Sequence, residues 1–261
     1  MLSAPDFWIL VAIGAVMAIV GVLASWHSYK KQKARQAALS TFAASNGIQF
    51  LPHGFTGRHL ATSEPFDSDW PSNKRFANQL ADFEPFRVGD FVALENLLLL
   101  QDGTTALYAF DYQCRTQRRD DKRSKYKSHF ECGVVVMRIP LLLRKMRLTP
   151  DGFLTRVAVP FGVNDISFES EEFNTKYFVS AADVKSVYDI LHPRAIDYLL
   201  SIPPRDWQFG NMWIVITQTG FFSPEEIGEV FAEIQDFVAL IPEYVWQDSG
   251  FEPKWRTALD I

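Results

Sequence analysis

Carboxylates, imidazoles and clustered cations are where chemistry would start, and in this chain they fall in three separate stretches. The first is Phe168-Glu169-Ser170-Glu171-Glu172-Phe173-Asn174. Three carboxylates this close together are the raw material of an acid–base pair or a divalent-cation site. The plainer reading is a solvated acidic turn between two strands, anchored by its phenylalanines, because charged side chains mostly stay exposed. The second stretch is PHGFTGRH, where His53 and His59 lie close in a glycine-rich loop; the histidines at 27, 129 and 192 are scattered. As a ligand pair this is weak, and two ordinary surface histidines explain it as well. The third is basic. Arg115, Arg118, Arg119, Lys122, Arg123, Lys125 and Lys127 oppose only Asp120 and Asp121, and Arg144, Lys145 and Arg147 add a smaller group. Charge runs usually mark a solvated hairpin end, but an anionic lipid surface would also attract this one, at about 1 kcal/mol per basic residue held near it.

The compact catalytic signatures are missing. There is no G-x-S-x-G, no G-x-x-x-x-G-K, no G-x-G-x-x-G, no H-E-x-x-H and no C-x-x-C. Nucleophile elbow, phosphate loop and zinc motif are therefore all unspecified. The reading assigns no catalytic residue, no metal and no cofactor. The chain has 261 residues, 48% hydrophobic and 14% aromatic, which implies a packed core rather than disorder. A net charge of −5 speaks against general nucleic-acid affinity. The two cysteines, Cys114 and Cys132, are too few for a disulfide scaffold and are expected reduced in a cytoplasmic domain.

One element must place all of these. Phe7 to Trp26, FWILVAIGAVMAIVGVLASW, runs without a charge over about the 20 residues that a helix needs to cross a bilayer. The basic residues follow the run, at Lys30, Lys31, Lys33 and Arg35, the reverse of a signal peptide, and no A-x-A site closes it. Trp8, Trp26 and Tyr29 fit interfacial aromatic belts, and the basic flank puts the N-terminus outside and the rest of the chain in the cytoplasm. Residues 1–29 are thus read as a transmembrane anchor and 30–47 as a helical stalk ending at Asn46-Gly47, with a helix packed wholly into the domain as an equal alternative. Residues 48–261 form the cytoplasmic domain.

Within that domain, strands are expected at Ile48–Leu51, Phe91–Leu94, Leu97–Gln101, Thr104–Cys114 and His129–Ile139, with Asp102-Gly103 as a tight turn and Pro140 as a stop. A symmetric hairpin between the last two would set Cys114 opposite Cys132. Ser180 opens a helix through Leu191 by a capping-box pattern, and a second helix follows His192-Pro193. Trp207–Phe209 and Met212–Thr217 flank Gly210-Asn211 as another hairpin. The final helix starts most clearly. Ser223 caps it, Pro224 takes the first helical position, Glu226 completes the capping box, and Phe222 and Ile227 form a hydrophobic staple. Ile227, Val230, Phe231, Ile234, Phe237, Val238 and Ile241 line its apolar face until Pro242.

The segments DISFESEEFNTKYFVSAAD and LHPRAIDYLL, then a tight hairpin and a long acidic helix ending IPEYV, resemble an uncharacterised family of bacterial membrane-anchored proteins, known as a domain of unknown function. The matching residues are Phe168, Glu169, Ser170, Phe173, Asn174, Phe178, Val179, Asp183, Leu191, Pro193 and Arg194, and the match covers roughly residues 160–245. The resemblance implies a bacterial, membrane-attached protein with one or two spans and carries over no catalytic residue.

The fold expected is α+β: one transmembrane helix, then a mainly antiparallel sheet covered by C-terminal helices, with a pleckstrin-homology-like half-barrel as an analogy from element order. The expected function is a non-enzymatic, membrane-tethered interaction or scaffold module with an unknown protein partner and no nucleic acid. The alternatives are an anionic-lipid sensor using residues 115–127, and an enzyme of unrecognised type built on Glu169, Glu171 and Glu172 or on His53 and His59.

Overall fold

The computed structural model describes residues 4–57, 80–86, 91–102, 105–117, 126–151, 164–181 and 183–248; within these, the side chains of 4–15, 53–57, 91, 102, 116–117, 126–129, 164–165 and 248 fall outside the description. The architecture is α+β, with an antiparallel sheet and packed helices. Helix α1 (Ala4–Ser45) is followed by strands β1 (Gln49–Gly57), β2 (Phe91–Asp102), β3 (Thr105–Gln117) and β4 (Tyr126–Pro150). Next come β5 (Asn164–Asp165), helix α2 (Glu171–Lys176), β6 (Tyr177–Ala181), α3 (Val184–Ile190) and α4 (Pro193–Ser201). The last described elements are β7 (Asp206–Thr219), α5 (Pro224–Leu240) and α6 (Glu243–Asp248). The sheet order is β1-β2-β3-β4-β6-β5, with β7 paired to β4.

Both faces of this sheet are buried, which is why β3 reads Leu-Tyr-Ala-Phe-Asp-Tyr without the apolar–polar alternation of a half-solvated strand. Leu107 and Ala109 join Val135, Met137, Ile214 and Ile216 under the helices. Tyr108, Phe110, Tyr112 and Cys114 face the other way, with Val134, Val136, Trp213 and the aromatic pair Phe83 and Phe86. Helix α5 closes the first core through the face that its spacing foretells, with Val230, Ile234, Phe237 and Val238 fully buried. Burial of one such side chain contributes about 1.5–3 kcal/mol. The capping box forms in full: Glu226 N–H donates to Ser223 Oγ at 3.2 Å and Ser223 N–H to Glu226 Oε2 at 2.7 Å.

Several local expectations need correction. Pro140 does not stop the strand: β4 runs on to Pro150, because Pro140 lies in a register shift between Arg138 and Leu143, where no ladder bond needs its missing N–H. The expected hairpin at Gly210-Asn211 is a corner within one strand. Residues 207–209, 211 and 213–218 pair with β4, and Asn211 takes φ +53° at the irregular register. The bend is sharp: Thr217 Oγ1 donates to Asp206 Oδ2 at 2.7 Å, although eleven residues of straight strand would span roughly 35 Å. The β2–β3 turn closes on the pair Asp102 and Thr105, one position later than expected; residues 103–104 lie outside the described residues. Cys114 pairs with Phe130 and Cys132 with Tyr112, so the cysteines are diagonal rather than opposed, because the β3–β4 register is not symmetric about residue 123. The acidic stretch after Phe168 is a short helix, and Ser180 belongs to β6; Asp183 caps α3 through Lys185 N–H at 3.2 Å.

Candidate functional site at the helix–sheet seam

Helix α1 is continuous across residues 29 and 30, so the expected anchor and stalk are two stretches of one rod. Its C-terminal turns are part of the domain. Leu39 is 0% exposed and Ala43 2%, and both belong to the helix-side core. Phe42 packs there as well, 3.6 Å from the position that a Cβ on Gly228 of α5 would take.

The seam is fixed by a buried ion pair. Arg35 Nε donates to Asp111 Oδ2 at 2.7 Å and Nη2 to Oδ1 at 2.6 Å, a two-pronged contact between fork and carboxylate. Asp111 lies on the helix side because it follows Leu107 and Ala109 at strand period two. Its side chain is 5% exposed and that of Arg35 20%. Asn96 supplies a third donor, Nδ2 to Asp111 Oδ2 at 2.7 Å. Asn96 reaches in from a bulge: β2 spends three steps from Glu95 to Leu98 where β3 spends two, and Asn96 sits at φ +56°. Its amide oxygen has no hydrogen-bond partner among the described residues. The arrangement is completed by Gln32 Nε2 donating to Glu95 Oε2 at 3.1 Å and by the Arg35 guanidinium 5.2 Å from the Phe221 ring centre. These groups hold a helix in one orientation on a sheet; nothing in them activates a nucleophile.

Every described side chain from Val16 to Lys30 is exposed. Val16, Met17, Ile19, Val20, Val22 and Leu23 are each 56–68% exposed, on every side of the helix. Where charge begins, Lys30 Nζ lies 3.7 Å from the Trp26 ring centre and Lys33 Nζ 5.0 Å from that of Tyr29. Among the described residues no helix is long and apolar enough to cross a membrane; the side chains of 7–15, the first part of the apolar run, lie outside them.

The sequence-derived candidates are dispersed. Of the basic run, Arg115 is exposed near the end of β3. Arg118, Arg119, Lys122, Arg123 and Lys125 lie outside the described residues, as do the side chain of Lys127 and the expected contact with lipid. The smaller basic group separates: Arg147 is bound to buried Asp206 at 2.8 Å, Lys145 makes a surface pair with Asp82 at 3.3 Å, and Arg144 is exposed. His53 sits in β1 opposite Glu95 with its side chain outside the description, and His59 lies outside it altogether. Glu169, Glu171 and Glu172 are exposed, and none lines the nearby pocket of about 280 Å³ bounded by Asp151, Ser167, Asn174 and Thr175 among others. Burial pushes the thiols of Cys114 and Cys132 above the usual range, which makes both poor nucleophiles.

The residues of the 168–194 stretch have structural work to do. Ser170 caps α2 by accepting from Phe173 N–H at 3.2 Å. Asn174 closes back on Phe168, donating to its carbonyl at 2.7 Å and accepting its N–H at 2.9 Å. Phe168 stands edge-on to Phe173 and to Tyr188. Lys176 Nζ donates to the carbonyls of Leu199, Leu200 and Ile202, which caps the end of α4. Pro193 takes the first turn of α4, and Arg194 is exposed.

No protein-family model and no curated protein matches the sequence. Among solved structures, the chain is similar to the crystal structure of the mycobacterial trehalose monomycolate transport factor A, TtfA, at 11% identity and a TM-score of 0.48 over 79% of this chain and 96% of that one. A likeness this weak carries neither activity nor partner from one chain to the other.

Sequence reasoning missed the Arg35–Asp111 seam. The signal was present: Asp111 is a charge in the middle of a strand otherwise apolar on both faces, and such a residue needs a buried partner. In the sequence Arg35 reads as one more residue of the basic flank, which hides it.

Proposed function

We propose that this protein is a membrane-tethered, non-enzymatic interaction module whose α+β domain is held at the cytoplasmic face of a bacterial inner membrane by α1. The observation that carries the reading is the exposed stretch of α1 from Val16 to Trp26, apolar all round and continuous with turns locked into the domain core. A helix apolar on every side belongs in a protein core or in a bilayer, and no other described element packs on this one. With the residues that precede it, the run reaches the length of a span. Lys30, Lys31 and Lys33 follow it, which supports the orientation with the N-terminus outside. The bent β4–β7 ribbon followed by α5 supports the half-barrel analogy. The resemblance in residues 168–194 supports a bacterial, membrane-anchored origin.

Two measurements test the reading. Extraction of native membranes at alkaline pH should leave the protein in the pellet; release into the supernatant would remove the anchor. Photo-crosslinkers at Leu142, Tyr188 and Tyr244, exposed by 66%, 49% and 49%, should yield a discrete protein adduct in intact membranes. Absence of an adduct from all three positions, with the protein still membrane-bound, would count against an interaction module.

A further inference from the structure

We infer that the end of the sheet from which α1 departs is a docking face for anionic phospholipid headgroups, built from Lys30, Lys31, Lys33 and Arg115. The inference rests on the membrane reading above and adds what that reading lacks: a lipid class and a surface. The strand registers place the face. Gln49, just after α1, is level with Leu99 and so with Tyr108 of β3. Gln32 and Arg35 of α1 reach Glu95 and Asp111, which are level with each other three residues further along β3. Thus α1 runs antiparallel to β3, and its apolar half leaves the domain where β3 finishes and β4 begins.

The heights agree. From Arg35 back to Trp26 the helix rises about 14 Å, and from Asp111 to Arg115 the strand advances about 13 Å. Measured along their own elements, Arg115 and Trp26, the last residue of the apolar run, thus lie about equally far from the Arg35–Asp111 contact, toward the same end of the domain. The headgroup layer on each side of a bilayer is about 5–8 Å deep, and Lys30 lies about 6 Å along the helix from Trp26. Both lysine ammoniums that contact aromatic rings reach back toward the apolar half, to Trp26 and to Tyr29. All four cations are exposed; Glu95, Glu131 and the Arg35-bound Asp111 are the carboxylates described at this end. Positive charge so placed fits the negative surface of the cytoplasmic leaflet. Residues 118–125 are outside the described residues and form no part of this face.

The test uses the full chain reconstituted into vesicles of phosphatidylcholine, with and without phosphatidylglycerol. Flotation with neutral vesicles reads insertion, and hydrogen exchange at residues 28–34 and 113–117 reads docking. Expected are flotation with both lipids and about tenfold slower exchange with phosphatidylglycerol, reversed by added salt and absent in K30S/K31S/K33S/R115S. Flotation with exchange that is the same in both lipids and at both salt levels overturns the docking face and leaves the anchor standing. Failure to float with neutral vesicles overturns the membrane reading itself. The salt comparison on the unchanged chain keeps the result decisive if the fourfold variant folds poorly.

Discussion

Replacing Arg35 by Met removes the cation from the seam but keeps most of the side-chain volume. Asp111, 5% exposed, would keep a single neutral donor, Asn96 Nδ2 at 2.7 Å, in place of three contacts. Breaking a buried ion pair by deleting one partner costs about 3–5 kcal/mol. Because the Arg35 side chain is 20% exposed, water can reach the stranded carboxylate, and the expected loss is about 2–4 kcal/mol. Asp111→Asn should cost less, about 1–2 kcal/mol, since the freed guanidinium can swing toward solvent while the amide still fills the site. The double variant R35M/D111N should cost less than the sum of the two losses, by a coupling of about 2 kcal/mol. The assay is denaturant unfolding of the detergent-solubilised full chain at constant slope, read from the midpoint shift. An R35M loss below about 0.5 kcal/mol, or an additive cycle, would refute the idea that this pair fixes α1 on the sheet.

Other expectations follow from single contacts. A Cβ on Gly133 would lie 2.5 Å from Phe222 Cδ2 and 2.7 Å from its backbone nitrogen, so Gly133→Ala should destabilise by about 3 kcal/mol, whereas Gly228→Ala, with 3.6 Å to Phe42, should stabilise α5 by about 0.5–1 kcal/mol in the same unfolding assay. Ser223→Ala breaks the capping box and should lower the thermal midpoint by the equivalent of about 1 kcal/mol. Burial pushes the Tyr177 phenol up to about 12 from 10.0, so the folded protein holds that proton more tightly than the unfolded chain. The stability it contributes is complete below pH 10 and is lost as pH rises toward 12; burial raises Tyr108, Tyr112 and Tyr198 in the same direction. The phenolate absorbance of these four tyrosines should therefore appear together with unfolding, and its appearance in the still-folded protein would contradict this.

Elements whose signals are local were legible. Helix α5 declared its cap and its buried face, and the β2–β3 turn was placed to within one residue. Elements whose shape depends on distant partners were not. Pro140 and Gly210-Asn211 look like breaks, yet both sit where a long two-stranded ribbon bends, and only the pairing of β4 with β7 reveals that these are corners. Ser170 and Asn174 were visible as pattern, but their use as a cap and as a clasp on Phe168 required the short helix that the glutamates concealed. The seam between Arg35 and Asp111 joins residues 76 apart, a separation that neither periodicity nor spacing can register.

The central claim is that α1 carries this domain on the cytoplasmic side of a membrane, and protease protection in sealed inverted inner-membrane vesicles tests it most directly. Digestion of the domain without detergent, leaving a small membrane-embedded fragment that contains residues 7–26, is the predicted result. A domain that stays intact until detergent is added would place it on the opposite side and contradict the account.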